Sequence, residues 1–204
     1  NDCSFHAHGN GTIGHMVSTY AIRLYAWSAY AFCDDSLQST MNGYFDVDSR
    51  FEWLDKIIRP KLLELKTLQE KISFTEQALL KRLSDVRENT VVNDTIQNIL
   101  INKGSLDIAK LAKKSFVSTR QLERLFHEYV GITPKKLSNL IRYQFLWRDI
   151  LCEPDFDVLS AVYKFGYTDQ SHLLREFKRY HSMDIHNARI MAFKDVGNIQ
   201  DVFV

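Results

Sequence analysis

A chain of 204 residues holds one large domain or two small ones, and its 45% apolar content supplies a core and excludes a disordered polymer. The net charge of +1 excludes a general polycation, but the charge is uneven: residues 89–194 carry 16 Lys/Arg against 11 Asp/Glu, and residues 1–88 carry 10 against 12. Cys3, Cys33 and Cys152 are too scattered for a disulfide framework, no apolar run reaches the ~18 residues of a membrane helix and no signal-peptide pattern opens the chain, so a cytoplasmic protein without a membrane partner is expected.

The chain begins at Asn1, which suggests a trimmed product whose larger N-terminal domain is missing. Residues 1–50 start turn-rich (HGNGTIGH), and Val17–Cys33 mixes aromatic and small residues in a way that predicts two β-strands. Over residues 51–72 the apolar spacing of Phe51, Leu54, Ile57, Ile58, Leu62, Leu65 and Leu68 predicts a helix, broken or kinked at Pro60. Ser73 with Glu76 resembles a capping box that opens a further helix to about Glu88. Asn89 and Thr90 mark a boundary. Beyond it come a helix over about 91–102 that buries Val92, Ile96, Ile99 and Leu100 and stops at Gly104, a long helix from Thr133-Pro134 to about Leu151, and a last helix over about 184–193.

Between these helices lie two similar units. Residues 105–129 read SLDIAKLAKKSFVSTRQLERLFHEY, and residues 156–180 read FDVLSAVYKFGYTDQSHLLREFKRY. Each has a short apolar helix, a turn and a longer helix. Leu122, Arg124, Phe126 and Tyr129 recur 51 positions later as Leu173, Arg175, Phe177 and Tyr180. This is a helix-turn-helix pattern present twice. In it the first helix braces the second, which lies in the major groove. Ile108, Leu111 and Ala112 are the expected braces in the first unit, and Val158, Ala161 and Val162 in the second. Ser118 is placed to cap the first recognition helix, Asp169 or Thr168 the second, and Gly166 suits a turn with positive φ.

The recognition helices divide by face. Leu122, Leu125 and Phe126, and likewise Leu173 and Phe177, point to the core. Thr119, Arg120, Gln121, Glu123, Arg124 and His127 occupy the other face of the first helix; Gln170, Ser171, His172, Arg175 and Lys178 that of the second. Arg can bridge guanine O6/N7, Gln can pair with adenine and Glu can accept from cytosine N4. Lys113, Lys114, Lys135 and Lys136 are expected beside phosphates, which position without reading sequence. The competing readings are ion pairs for Arg124 and Arg175, plain surface roles for His127 and His172, packing for Tyr129 and Tyr180, and helix-end complementation for Lys178 and Arg179.

These residues resemble the AraC/XylS family of bacterial transcription regulators over about residues 91–190. The resemblance rests on Ala112, the run STRQLERLF from Ser118 to Phe126, GITP at Gly131–Pro134, Arg142, and GYTDQSHLLREF from Gly166 to Phe177. It looks most like a subgroup with a poorly characterised N-terminal sensor. It implies base-reading roles for Arg120, Glu123, Arg124, Gln170, Ser171 and Arg175. The sequence departs from the family where Ser182 replaces the usual Gly, Ile185 the usual Pro, Ala188 an aromatic and Val162 an Ala, whereas Arg189 fits. With the second lobe divergent, the first unit would carry more of the specificity.

The fold expected is mainly α: a seven-helix DNA-binding domain at 89–194, with helix-turn-helix units at about 105–130 and 156–181 joined by a long helix. An N-terminal α+β fragment at 1–88 and a tail at 195–204 complete it. The function expected is sequence-specific transcription regulation of the activating kind. Its partners would be promoter DNA and RNA polymerase, with a small-molecule effector and a homodimer through residues 1–88. A module that regulates another transcription factor or polymerase by protein contact is the alternative. Other signals are weak. Gly9–Gly14 matches G-x-G-x-x-G without the strand and helix that a dinucleotide site needs. His6, His8 and His15 lack a fourth metal ligand, and Asp34-Asp35 and Asp46-x-Asp48 lack a calcium loop. Cys3 has no electropositive setting, and nothing forms a nucleophile–base set, so neither an enzyme nor a cofactor is expected.

Overall fold

The computed structural model describes residues 20–25, 27–33, 51–83 and 89–194. The Gly9–Gly14 run, His6, His8, His15, Cys3, the Asp34-Asp35 and Asp46-x-Asp48 pairs and the tail 195–204 lie outside them. The contacts divide the chain into two compact units. One holds the elements before Arg87 together with residues 128–131; the other holds residues 88–127 and 132–203.

In the first unit the two strands expected within Val17–Cys33 are not found among the described residues. Ala29–Phe32 is a short 3-10 helix instead, entered by a turn in which the Ser28 N–H donates to Tyr25 O at 2.9 Å. Local three-residue bonding satisfies the backbone here, so none is left for a ladder. Trp53 is buried and its indole N–H donates to Phe32 O at 2.6 Å. With Ala31, Phe32 and Ile58 it forms a small core against which Phe74, Ala78 and Leu79 pack.

Pro60 does not end the helix, which continues to Glu64, but the type of helix changes just before it. A π-helical stretch, Leu54–Ile58, precedes α1 (Arg59–Glu64), and the Arg59 N–H reaches back to Leu54 O. The wider turn accommodates a proline that has no N–H of its own to donate. The helix does not run to residue 72, because Leu65 is extended at ψ 134. A new helix, α2 (Leu68–Leu83), starts there. Its capping box is formed by Thr67 and Glu70, not Ser73 and Glu76. The Thr67 N–H donates to Glu70 Oε2 at 3.0 Å and the Glu70 N–H donates to Thr67 Oγ1 at 3.2 Å. These bonds hold the Glu70 carboxyl below its usual range. Ser73 sits inside the helix, and Ile57 and Leu68 are exposed rather than core.

The second unit holds seven helices among the described residues, less the last two residues of α5: α3 (Thr90–Ile101), α4 (Ile108–Lys114), α5 (Thr119–Tyr129), α6 (Pro134–Cys152), α7 (Val158–Phe165), α8 (Gln170–His181) and α9 (Ile185–Lys194). Side-chain caps start most of them: Asn89, Asp107, Thr133, Asp157 and Asp169 each accept from a backbone N–H of the first turn. Such bonds satisfy donors that the helix itself cannot. Gly104, at φ +73, closes α3 by donating to Ile99 O at 2.8 Å.

The central helix is α6. It packs on α3 and also on α7, α8 and α9. Ser138, buried on α6, donates to Gly104 O at 2.7 Å. The first lobe buries Val92, Ile96, Ile99, Leu111, Ala112, Leu122, Phe126, Leu137 and Ile141. The second lobe has its own core of Leu146, Ile150, Ala161, Val162, Phe165, Tyr167, Leu173, Phe177 and Ala188. Leu100, Ile108 and Leu125 reach only half-burial. No helix among the described residues is long and apolar enough to cross a membrane.

Candidate nucleic-acid interface

Each unit presents a braced helix with one apolar and one polar face. In the first, Ser118 Oγ accepts from the Gln121 N–H at 3.1 Å and fixes the start of α5. Leu122 and Phe126 are fully buried, and Leu111 and Ala112 on α4 are buried too. That packing leaves Thr119, Arg120, Gln121, Glu123 and Arg124 exposed together. Lys135 and Lys136 are exposed in the first turn of α6, and Lys113 and Lys114 in the last turn of α4. Among the described residues no ion pair ties up Arg120, Arg124 or Arg175.

In the second unit Asp169 is the cap, accepting from the His172 N–H at 2.7 Å. Leu173 and Phe177 are buried, and Gln170, Ser171, Arg175 and Lys178 are exposed. His172 is half-buried, with its ring edge-on to Tyr167 at 5.3 Å. It is therefore more constrained than its polar neighbours. Gly166 adopts the left-handed conformation, φ +64.

A buried ion pair holds α8 in place. Glu176 lies on its inner side between Leu173 and Phe177, and Arg142 reaches it from α6. The Arg142 Nη2 donates to both carboxylate oxygens, at 2.8 and 2.9 Å, and its Nε donates to Oε1 at 3.2 Å. The Tyr167 hydroxyl donates to the same Oε1 at 2.9 Å, and the guanidinium lies 4.2 Å from the Tyr167 ring centroid. Burial, reinforced by the Glu176 charge, pushes the Tyr167 hydroxyl far above its usual range, so it stays a donor. Arg142 was visible in the sequence, but its partner was not. The signal was available, because Glu176 stands three residues after Leu173 and so falls on the inward face.

The two units are close copies with one difference. The caps of the bracing helices, Asp107 and Asp157, are 50 positions apart, and those of the recognition helices, Ser118 and Asp169, are 51 apart. The cap-to-cap span of the second unit is one residue longer, because α7 has eight residues where α4 has seven.

Residues 111–189 match a family model described as a helix-turn-helix domain. An uncharacterized HTH-type transcriptional regulator of Haemophilus influenzae is similar to the chain, with 26% identity over 111 residues, 54% of this chain and 36% of that protein. Residues 111–189 of this chain form a helix-turn-helix domain. The match spans only about a third of the length of that relative, and no solved structure matches.

Within this helix-turn-helix domain, the departures from the AraC/XylS pattern noted in the sequence have a definite place. Ser182 ends α8 at φ +64, where glycine is at ease. Ile185 opens α9 and packs on the second core, in which Ala188 and Val162 are fully included. Arg189 donates to Glu153 O and Pro154 O at 3.1 and 3.0 Å, and so joins α9 to the end of α6.

Proposed function

We propose that the AraC-type domain binds promoter DNA sequence-specifically, with α5 and α8 each entering the major groove. The observation that supports this is the exposed polar face of each helix, held outward by a fully buried apolar face. Arg120, Glu123 and Arg124, and Gln170, Ser171 and Arg175, are the proposed base readers, with Thr119, Gln121, His172 and Lys178 beside them. Lys135 and Lys136 contact phosphates. Bound there, the protein activates transcription in the cytoplasm by contact with RNA polymerase. Residues 1–88 serve a small-molecule effector and pair two copies.

Selection of random duplexes on the purified chain, at two salt concentrations, tests this reading. Two enriched blocks about one helical turn apart are the expected result. Absence of enrichment with salt-insensitive binding would sink it and favour a protein-contact module. Arg124→Ala should cost about 1–3 kcal/mol at one position of the enriched site.

A further inference from the structure

The turn between α4 and α5 holds a phenylalanine in a position made for glycine. Phe116 has φ +57, the left-handed region that disfavours any residue with a β-carbon. Its structural counterpart in the second turn is Gly166, at φ +64. In both turns the next N–H reaches back five residues: Val117 to Ala112 O at 3.1 Å and Tyr167 to Val162 O at 2.9 Å. Lys103 and Ser182 also have positive φ, but their side chains are polar. Phe116 is 98% exposed. The ring gains nothing from folding, and its backbone conformation opposes it.

Its surroundings indicate what it meets. Lys113 and Lys114 are exposed just before it, and Thr119, Arg120 and Gln121 are exposed just after it. In the chain Phe116 stands between the cationic end of α4 and the polar start of α5. Such a place draws a polyanion. The apolar group that a duplex offers at the edge of the major groove is the C5-methyl of thymine. We propose that Phe116 is a specificity-determining residue that packs on a thymine methyl beside the bases read by α5. This rests on the DNA-binding reading above.

The test uses the whole chain, Phe116→Gly and Phe116→Asn. Both replacements suit the left-handed conformation, so both variants should melt no lower than the parent. The site enriched by the parent is then remade with deoxyuridine at each thymine in turn, which deletes only the methyl. One such replacement should weaken the parent about fourfold, the affinity carried by one buried methyl, and leave both variants unaffected. Equal sensitivity of parent and variants overturns the role of Phe116 while leaving DNA binding intact. A variant weakened evenly on every sequence overturns the thymine contact in favour of sugar packing. If the parent enriches no sequence, the DNA-binding reading fails, and this inference with it.

Discussion

Gly104 has no room for a β-carbon. An added Cβ would lie 2.1 Å from Ser138 O and 2.6 Å from Arg142 N, both backbone atoms of α6. Its φ of +73 adds a conformational cost to the steric one. Gly104→Ala should therefore lose about 1–3 kcal/mol from overpacking, read from the urea midpoint, with about 1 kcal/mol more from the backbone. Gly166→Ala should cost less, because its Cβ meets mainly the Ser105 side chain, which can rotate. Equal losses would show that α6 yields. Ser182 presents the opposite case, a residue with a β-carbon at φ +64. Ser182→Gly should raise stability by up to about 1 kcal/mol, and an unchanged melting temperature would count against strain there.

Between α6 and α8 the Arg142–Glu176 pair acts as a clamp. Glu176→Ala leaves a buried guanidinium without its partner and should cost about 3–5 kcal/mol in chemical denaturation. Replacing both, as Arg142→Met with Glu176→Leu, should recover most of that. A double variant as weak as the single one would mean that the charges themselves hold the fold. The far end of α8 has a pH-dependent contact. His181 stacks on Phe177 at 5.0 Å, lies 4.3 Å from the Trp147 ring, and shares a hydrogen bond of 2.7 Å with the Tyr143 hydroxyl. Burial holds its pKa below the usual 6.5. Its neutral form therefore contributes stability that is present above pH 6.5 and is lost as pH falls below it. Unfolding followed by Trp fluorescence should show that decline, and His181→Phe should flatten it. These elements also show what a sequence discloses. Helices α5 and α8 were legible because an apolar stripe, a cap and a polar face agree, with half-buried Leu125 and His172 and exposed Leu174 as the departures. The start of α2 was not. Thr67–Glu70 and Ser73–Glu76 carry the same pattern, and only the extended backbone at Leu65 selects the first. The strands expected near residue 25 failed for a related reason. Aromatic residues there pack locally on one another, as in the stacked Tyr25 and Trp27 rings, 4.6 Å apart. The turn conformation of Phe116 leaves no trace in residue types, since glycine is the residue that marks it.

On the scale of the molecule, the positive charge belongs to the helical half, where residues 89–194 hold 16 basic against 11 acidic side chains. Replacing Lys135 and Lys136 by Ala should weaken DNA binding evenly across sequences and lower the salt slope by about 2. A change of base preference instead would place those lysines in the groove. The order of α5 and α8 along one chain has a further consequence. On the proposed reading, one chain that reads DNA with both α5 and α8 has no twofold axis of its own, in contrast to a dimer on a palindrome. A site that it recognises has a front and a back. Inverting that site would turn the helix-turn-helix domain end for end on the duplex.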